Sequence, residues 1–349
     1  MLSMIPHSRP SVDAQDRAAL LSVLESGHLS QGKEVARLED ELASFIGSGT
    51  GVAVSSGTAA LHLSLIALEV GSGDEVILPS YVCPALLNAV HYVSATPVLA
   101  DIDPKTFNMD VQSVRHRITA KTKAVILPHM FGLAADVDDF ISLGIPIIED
   151  CALSVGGDYK GQHLGSFGVL SVFSFYATKM LAAGEGGMVL CNDEALAGAV
   201  RDLRDYDEKA DYRVRYNYKM TDLQAALVIS QLKRLPFFIE RRREIADRYR
   251  RLLETVNLSP PFVPEECGHV FYRYIVLMDR ADEFLAWMYR RGVECRRPVF
   301  RPLHHYLGLA GYPCTGEVHR RAVSIPTYPS LTDTETMEIT QEIKEFCRR

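Results

Sequence analysis

Short apolar, β-rich runs alternate with helical patterns through the first two-thirds of the chain. The runs over 52–55, 75–79, 96–101, 124–128 and 146–150 read as strands. Between them, apolar residues recur at helical spacing over 58–70, 84–93 and 136–143. Pro84 suits a first helical turn. Strand–helix–strand alternation predicts a mostly parallel sheet with helices on both faces. Such a sheet binds ligands outside the carboxyl ends of its strands. Further along, 223–253 reads as a long helix interrupted at Pro236, 270–278 as a strand, and 281–290 as an amphipathic helix that Arg291-Gly292 stops. The pattern therefore predicts an α/β protein. A large domain over 1–235, with its N-terminal segment, is followed by a small α+β domain over 236–349.

Composition removes several alternatives. Of 349 residues, 47% are hydrophobic and 23% charged, ordinary for a globular protein. The net charge of -7 gives no global attraction to nucleic acid or to an anionic membrane. The uncharged stretch 76–100 contains Pro79, Pro84 and Pro97, with Asn88 and His91 between them. A strand, a loop and a helix explain it better than a span of ~20 apolar residues. The first ten residues lack a basic region followed by an apolar run, so no signal peptide is expected. Seven cysteines, an odd number without C-x-x-C spacing, predict reduced thiols in the cytoplasm rather than disulfides or a metal site.

Three places carry candidate chemistry. At Ser55-Ser56-Gly57-Thr58-Ala59-Ala60-Leu61 a strand ends, a small-residue turn follows and a helix begins. Free N–H groups at a helix start attract phosphate, although a Ser- or Thr-capped turn accounts for the same residues. At Ile147-Ile148-Glu149-Asp150 an apolar run meets two acids. A carboxylate there can pair with a cationic ring nitrogen, or simply cap a helix. At Ser171-Val172-Phe173-Ser174-Phe175-Tyr176-Ala177-Thr178-Lys179 a strand-like run ends in a lysine with apolar, hydroxyl and small neighbours. Such a lysine is a candidate amine nucleophile, or a strand-end side chain that reaches for water. Together, a phosphate cradle, an acid and an isolated lysine match the needs of a pyridoxal 5'-phosphate enzyme.

At this level the chain resembles the DegT/DnrJ/EryC1/StrS sugar aminotransferases of pyridoxal-phosphate fold type I. The matching motifs run from Gly57-Thr58-Ala59-Ala60-Leu61 and Gly73-Asp74-Glu75-Val76-Ile77-Leu78-Pro79 through Asp101-Ile102-Asp103-Pro104, Glu149-Asp150 and Gly165-Ser166-Phe167-Gly168. They continue through Ser174-Phe175-Tyr176-Ala177-Thr178-Lys179, Gly184-Glu185-Gly186-Gly187, Tyr216-Asn217-Tyr218-Lys219-Met220, Leu223-Gln224-Ala225-Ala226 and Pro302-Leu303-His304. The resemblance implies that Lys179 is the Schiff-base lysine and proton shuttle, and that Asp150 is the partner of the pyridinium nitrogen. It implies phosphate contacts from Gly57, Thr58 and Ser174. It also implies that Asn217 reaches the phosphate of a neighbouring subunit, hence a homodimer with shared active sites. The implied reaction moves an amino group, usually from glutamate, to a keto-sugar of a nucleotide-linked hexose.

Departures from the family pattern mark the site as unusual. Leu153 stands where a glutamine usually contacts the cofactor ring, and cannot make that hydrogen bond. Cys83 stands where an aromatic ring usually stacks and offers no π-face; Tyr81 is the candidate replacement. Around Pro298 and Val299 the usual His-Tyr gives way to Arg296-Arg297-Pro298-Val299-Phe300-Arg301. Arg296 or Arg301 is a candidate for holding the substrate's phosphates, or these arginines form a solvated turn. His304 is a candidate pocket residue. His129 follows a predicted strand and is either functional or a packed residue. Two other functions share the fold: a sugar dehydratase, disfavoured by Lys179, and a non-catalytic sugar-nucleotide-binding regulator, disfavoured by Lys179 together with Asp150.

Overall fold

The apolar runs assemble into one seven-stranded sheet in the computed structural model, which describes residues 4–256 and 258–349. Its strands are β1 (Thr50–Val54), β2 (Glu75–Pro79), β3 (Thr96–Ala100), β4 (Thr122–Pro128), β5 (Ile147–Asp150), β6 (Leu170–Ser174) and β7 (Gly187–Cys191). Their order across the sheet is β1-β7-β6-β5-β4-β2-β3. Strands β2 to β6 pair in parallel, and β7 runs antiparallel to both β6 and β1. Every residue of β5, β6 and β7 is buried. Coverage on both faces explains why these strands read as continuous apolar runs rather than alternating ones.

Four helices matter most for the large body. The sequence pattern misses α1 (Ala14–Ser26) and α2 (Lys33–Ile46), which precede the sheet. α3 (Gly57–Ala67) begins at Ser56, whose hydroxyl accepts from the Ala59 N–H at 3.1 Å. Its residues from Ala59 to Leu65 are all buried, so it lies in the core without a polar stripe. α4 (Ala85–Tyr92) follows β2, with Pro84 at its N-cap.

The expected interrupted helix is two helices, α5 (Asp222–Leu232) and α6 (Leu235–Thr255). The break falls just before Pro236. That proline sits in the first turn of α6, where its missing N–H removes nothing from the helix. α6 joins two apolar cores. Leu235 and Ile239 pack with the large sheet, whereas Ile245, Tyr249 and Leu253 pack in a second core. That second core lies around the antiparallel pair β8 (Tyr274–Leu277) and β9 (Ala322–Ile325), with α7 (Ala281–Arg290) and α8 (Asp333–Cys347). Ile5 belongs to the same core and bridges to Val293, so the N-terminal segment packs against the C-terminal body. Among the described residues, no helix is long and apolar enough to cross a membrane.

β7, which begins at the end of the Gly184-Glu185-Gly186-Gly187 motif, is also absent from the sequence pattern. Its placement depends on Gly187. A Cβ there would lie 2.5 Å from the Ser56 carbonyl carbon and oxygen and 2.7 Å from the Gly57 nitrogen. Only glycine lets β7 pass so close beneath the turn that starts α3. Gly187→Ala should therefore destabilise the protein by about 1–3 kcal/mol, the usual range for overpacking. Chemical denaturation of the apo protein reads this directly, and an unchanged midpoint would show that the turn yields.

Candidate active site

Adjacent strand residues face opposite sides, and this separates the two acids at the end of β5. Glu149 is buried beneath the sheet end. It accepts from the backbone N–H groups of Gly165 (2.9 Å), Phe167 (2.8 Å) and Gly168 (2.7 Å), and meets His129 Nε2 at 3.0 Å. Burial raises the Glu149 carboxyl, but the His129 and backbone hydrogen bonds outweigh it and hold the carboxyl below its usual range. His129 Nδ1 accepts from the Ala135 N–H at 3.1 Å, so Nε2 is the nitrogen that donates to Glu149. His129 is thus a packed structural residue. Cys151 lies close enough to complete a metal-like trio with these two, but their ring and carboxylate atoms are already committed to hydrogen bonds.

Asp150 faces the other way, into a cavity of about 210 Å³. The residue is only 6% exposed. Oδ1 accepts from the Ala152 N–H at 3.0 Å, and among the described residues no cation pairs with the carboxylate. Burial raises its pKa, with the Ala152 hydrogen bond and the Lys179 charge acting in the opposite direction. A buried acid in this state favours a cationic partner in the cavity. Lys179 lines the same cavity. It does not end a strand, as the sequence run suggests: β6 stops at Ser174, and Lys179 lies in the following turn, where its N–H donates to the Tyr176 carbonyl at 2.8 Å.

The turn 55–58 and the end of β6 meet beside this cavity's strands. A Cβ on Gly57 would approach Ser174 Cβ to 2.9 Å, so the absence of a side chain allows the contact. Gly57 and Thr58 occupy the first turn of α3, where helix N–H groups have no intrahelical acceptor. The Ser174 hydroxyl accepts from the Tyr176 N–H at 3.4 Å. A lysine, a buried acid with no paired cation among the described residues, and a helix start beside a serine fit pyridoxal 5'-phosphate, which needs an amine, an acid for its ring nitrogen and a phosphate cradle.

Other expected residues divide between the cavity and its surroundings. Cys83, Leu153 and Arg301 line the cavity. Arg301 donates to the His305 carbonyl at 3.0 Å, with its guanidinium 5.1 Å from the Tyr306 ring centre. Tyr81, proposed as the replacement ring, is instead fully buried in the core, edge-on to Phe131 at 6.4 Å. Arg296 does not reach the cavity. It is exposed and bound by Nε and Nη2 to Glu294 at 2.9 and 2.5 Å. His304 braces the loop from behind: Nδ1 meets the Ser80 hydroxyl at 2.6 Å and its ring stacks on Tyr312. Asn217 is exposed and is not part of its own chain's cavity. Its neighbours Tyr216 and Tyr218 stack at 5.1 Å, and the Tyr218 carbonyl accepts from the Ser55 N–H at 2.7 Å, beside the α3 turn.

The sequence reading misses Tyr272 and Arg273, which line the cavity from the C-terminal body. They follow Phe271, whose φ of 46° lies in the left-handed region. Beside them, Phe131, which also lines the cavity, has φ 58°. Two bulky residues in this conformation are strained, by about 1–2 kcal/mol each. Backbone bonds tie the strained segments together: Val270 N–H to the Gly132 carbonyl at 3.1 Å and Arg273 N–H to the Phe131 carbonyl at 3.3 Å. Arg242 of α6 donates to the carbonyls of Phe271, Tyr272 and Thr327. Residue 271–273 geometry is therefore set by its neighbours rather than by local preference. The only sequence signal is an arginine embedded in the aromatic and apolar run 270–278.

Tyr272 sits among cations. Lys179 Nζ lies 5.6 Å from its ring centre and the Arg273 guanidinium 4.8 Å. Its hydroxyl meets Thr178 Oγ1 at 3.5 Å. Burial pushes the phenol up, but Arg273, Lys179, the Thr178 hydrogen bond and Arg242 together pull it down to about 8. The apo protein should therefore show a tyrosinate ultraviolet signal rising near pH 8 that Tyr272→Phe removes. Because the folded value lies below the unfolded value of about 10, the native protein should gain stability over Tyr272→Phe as pH rises from about 8 toward 10. A tyrosine titration confined to the unperturbed range would refute this electrostatic picture.

Comparison with known proteins agrees with this geometry. The model of the DegT/DnrJ/EryC1/StrS aminotransferase family matches residues 10–344. A GDP-perosamine synthase of Vibrio cholerae is 34% identical, with 98% of this chain and 99% of that protein covered. The crystal structure of the aminotransferase TlmJ from Streptoalloteichus hindustanus superposes with a TM-score of 0.94 at 32% identity, covering 98% of each chain. The PLP-form of the sugar aminotransferase Spr1654 from Streptococcus pneumoniae, described as putative, superposes with a TM-score of 0.93 at 27% identity, covering 99% of each chain. With a fold-type-I sheet and an amine and acid converging at its strand ends, this chain belongs to the DegT/DnrJ/EryC1/StrS aminotransferase family.

Proposed function

We propose that this aminotransferase moves an amino group from glutamate to a keto-sugar of a nucleotide-linked hexose, with pyridoxal 5'-phosphate held at Lys179. The observation that carries the proposal is the convergence of Lys179 and Asp150 on one cavity. The acceptor class rests on relatives, among them the GDP-perosamine synthase of Vibrio cholerae. Residues 1–235 serve as the cofactor-binding part and 236–349 as the second part, with the N-terminal segment packed on the latter. The working unit is a cytoplasmic homodimer in which Asn217 of each subunit reaches the cofactor phosphate of the other.

Bound pyridoxal phosphate would supply an electron sink for the substrate carbon and a carrier for the amino group. The chain's residues do the rest. Lys179 provides the attachment amine and, once displaced, moves the proton at the substrate carbon. Asp150 holds positive charge at the ring nitrogen, and its burial strengthens that interaction. Gly57, Thr58 and Ser174 orient the phosphate at the start of α3. Leu153 and Cys83 contribute packing where relatives of the usual pattern use a hydrogen bond and a stacked ring.

The purified holoprotein should be yellow, bleach with glutamate, and regain colour when a nucleotide-linked keto-sugar is added, with the aminated sugar detected by mass spectrometry. Lys179→Ala should lower turnover by at least about 100-fold. Protein that stays colourless after incubation with pyridoxal phosphate would refute the proposal. Asp150→Asn should weaken cofactor binding about 10- to 100-fold. The same substitution should raise the melting temperature of the apo protein at neutral pH, because burial makes the charged carboxylate unfavourable there. A lower melting temperature would mean that Asp150 is satisfied without the cofactor.

A further inference from the structure

Four charged side chains line the cavity: Asp150, Lys179, Arg273 and Arg301. The proposed function uses the first two. Arg301 lies on the segment that carries Phe300, which is 88% exposed and also lines the cavity, so this pair marks the mouth. Arg273 lies deeper. Its guanidinium and the Lys179 amine face one aromatic ring, at 4.8 and 5.6 Å from the centre of Tyr272. An anion on Arg273 therefore shares one cavity with the reacting amine.

The surroundings of Arg273 keep its charge available. Most buried or half-buried arginines here have acid partners, such as Arg204 with Glu39, Arg215 with Asp202 and Arg234 with Asp16. Among the described residues, Arg273 has none. Its Nη1 donates to His7 Nδ1 at 2.9 Å, and its Nη2 to the Tyr272 hydroxyl at 3.4 Å. His7 comes from the N-terminal segment and is 4% exposed. Since Nδ1 accepts from the guanidinium, Nε2 is the donor to the Ser324 hydroxyl on β9, at 2.8 Å. Burial, with Arg273 and Arg296 adding to it, lowers the His7 pKa to about 2, so the ring is neutral at working pH. A carboxylate in place of His7 would orient the guanidinium and cancel its charge. A neutral imidazole orients it and leaves the charge for a ligand.

We propose that Arg273 anchors a carboxylate of the amino-acid donor and that His7 is its positioning residue. This rests on the aminotransferase reading above and assigns the donor subsite within it. The chemistry recognised is a pair of anionic oxygens, which the acceptor's diphosphate also offers. The donor is favoured by position: its carboxylates lie within a few bonds of the nitrogen transferred at Lys179. The diphosphate of a nucleotide-linked hexose is separated from the reacting carbon by the sugar ring, which places it toward Arg301 and the mouth.

The two half-reactions separate these sources. Bleaching of the holoprotein by glutamate reports the donor step, and return of colour on adding keto-sugar reports the acceptor step. Arg273→Gln should raise the glutamate concentration for half-maximal bleaching rate by about 10- to 100-fold. It should leave the acceptor concentration dependence within about threefold of wild type, well inside the loss expected for a charged hydrogen bond. Arg273→Lys should recover part of the donor affinity. His7→Ala should raise the donor concentration requirement by roughly tenfold, in line with a misplaced but retained charge, while the limiting rate at saturating glutamate is kept. Equilibrium binding of glutarate, a dicarboxylate without an amine, gives a readout independent of turnover: calorimetry should detect it with wild-type holoprotein and lose it in Arg273→Gln. Unchanged glutamate dependence and unchanged glutarate binding in a yellow Arg273→Gln protein would overturn the inference and leave the aminotransferase reading standing. A defect confined to the acceptor step would overturn the donor assignment in favour of the diphosphate. Wild-type holoprotein that no amino acid bleaches would instead overturn the reading on which the inference rests.

Discussion

A carboxylate removed from water needs compensation, and Asp150 has little within the chain. One backbone N–H reaches it, and no cation pairs with it among the described residues. The adjacent Glu149 shows the opposite solution, with three backbone N–H groups and His129 around one carboxylate. Two neighbouring acids thus have opposite energetics. Glu149 pins the loop 165–168 under the sheet. Asp150 keeps a buried carboxylate facing the cavity with one backbone N–H and, among the described residues, no paired cation. The alternation of β5 makes this division unavoidable, because consecutive side chains cannot share a face.

The turn that starts α3 depends on steric rather than electrostatic economy. β7 passes under the Ser56-Gly57 turn at a distance that excludes any Cβ at Gly187, and a Cβ on Gly57 would also crowd Ser174, at 2.9 Å. Two glycines from distant parts of the sequence therefore let the start of α3, the end of β6 and the antiparallel strand β7 converge. The resulting cradle uses backbone groups, which are rigid and cannot be lost by rotamer change. That rigidity contrasts with Asp150 in the neighbouring cavity, whose buried carboxylate has no paired cation among the described residues.

The C-terminal body contributes through a strained junction. Phe131 and Phe271 both adopt left-handed backbone conformations, and hydrogen bonds join their segments across the boundary between the two cores. Arg242 gathers the surrounding carbonyls from α6, the helix that belongs to both cores. This arrangement directs Tyr272 and Arg273 toward Lys179. It also ties the N-terminal segment to the cavity, because His7 contacts Arg273 while Ile5 packs in the C-terminal core. Strain at the junction is maintained because many contacts over-determine it, a pattern found where geometry serves function.

The alternation of apolar runs and helical spacing determined the parallel sheet, and with it the location of ligand chemistry at the strand ends. Lys179, Asp150 and the Gly57-Thr58 turn were legible because each follows a local rule: an isolated lysine, acids after an apolar run, small residues before a helix. β7 was not legible, since glycine-rich sequence before an apolar run looks like a flexible link until close packing is seen to require it. The arginines near the cavity were only partly legible for the same kind of reason: Arg301 lines the cavity as expected, Arg296 does not, and Arg273 was not singled out. Arg296 lies near the right segment but has Glu294 two residues away, while Arg273 lies within an ordinary-looking strand pattern. Periodicity reports which face a residue occupies in its own element. Whether a charge is cancelled, and which cavity it enters, depends on residues hundreds of positions away, such as His7 for Arg273, and only the tertiary structure brings them together.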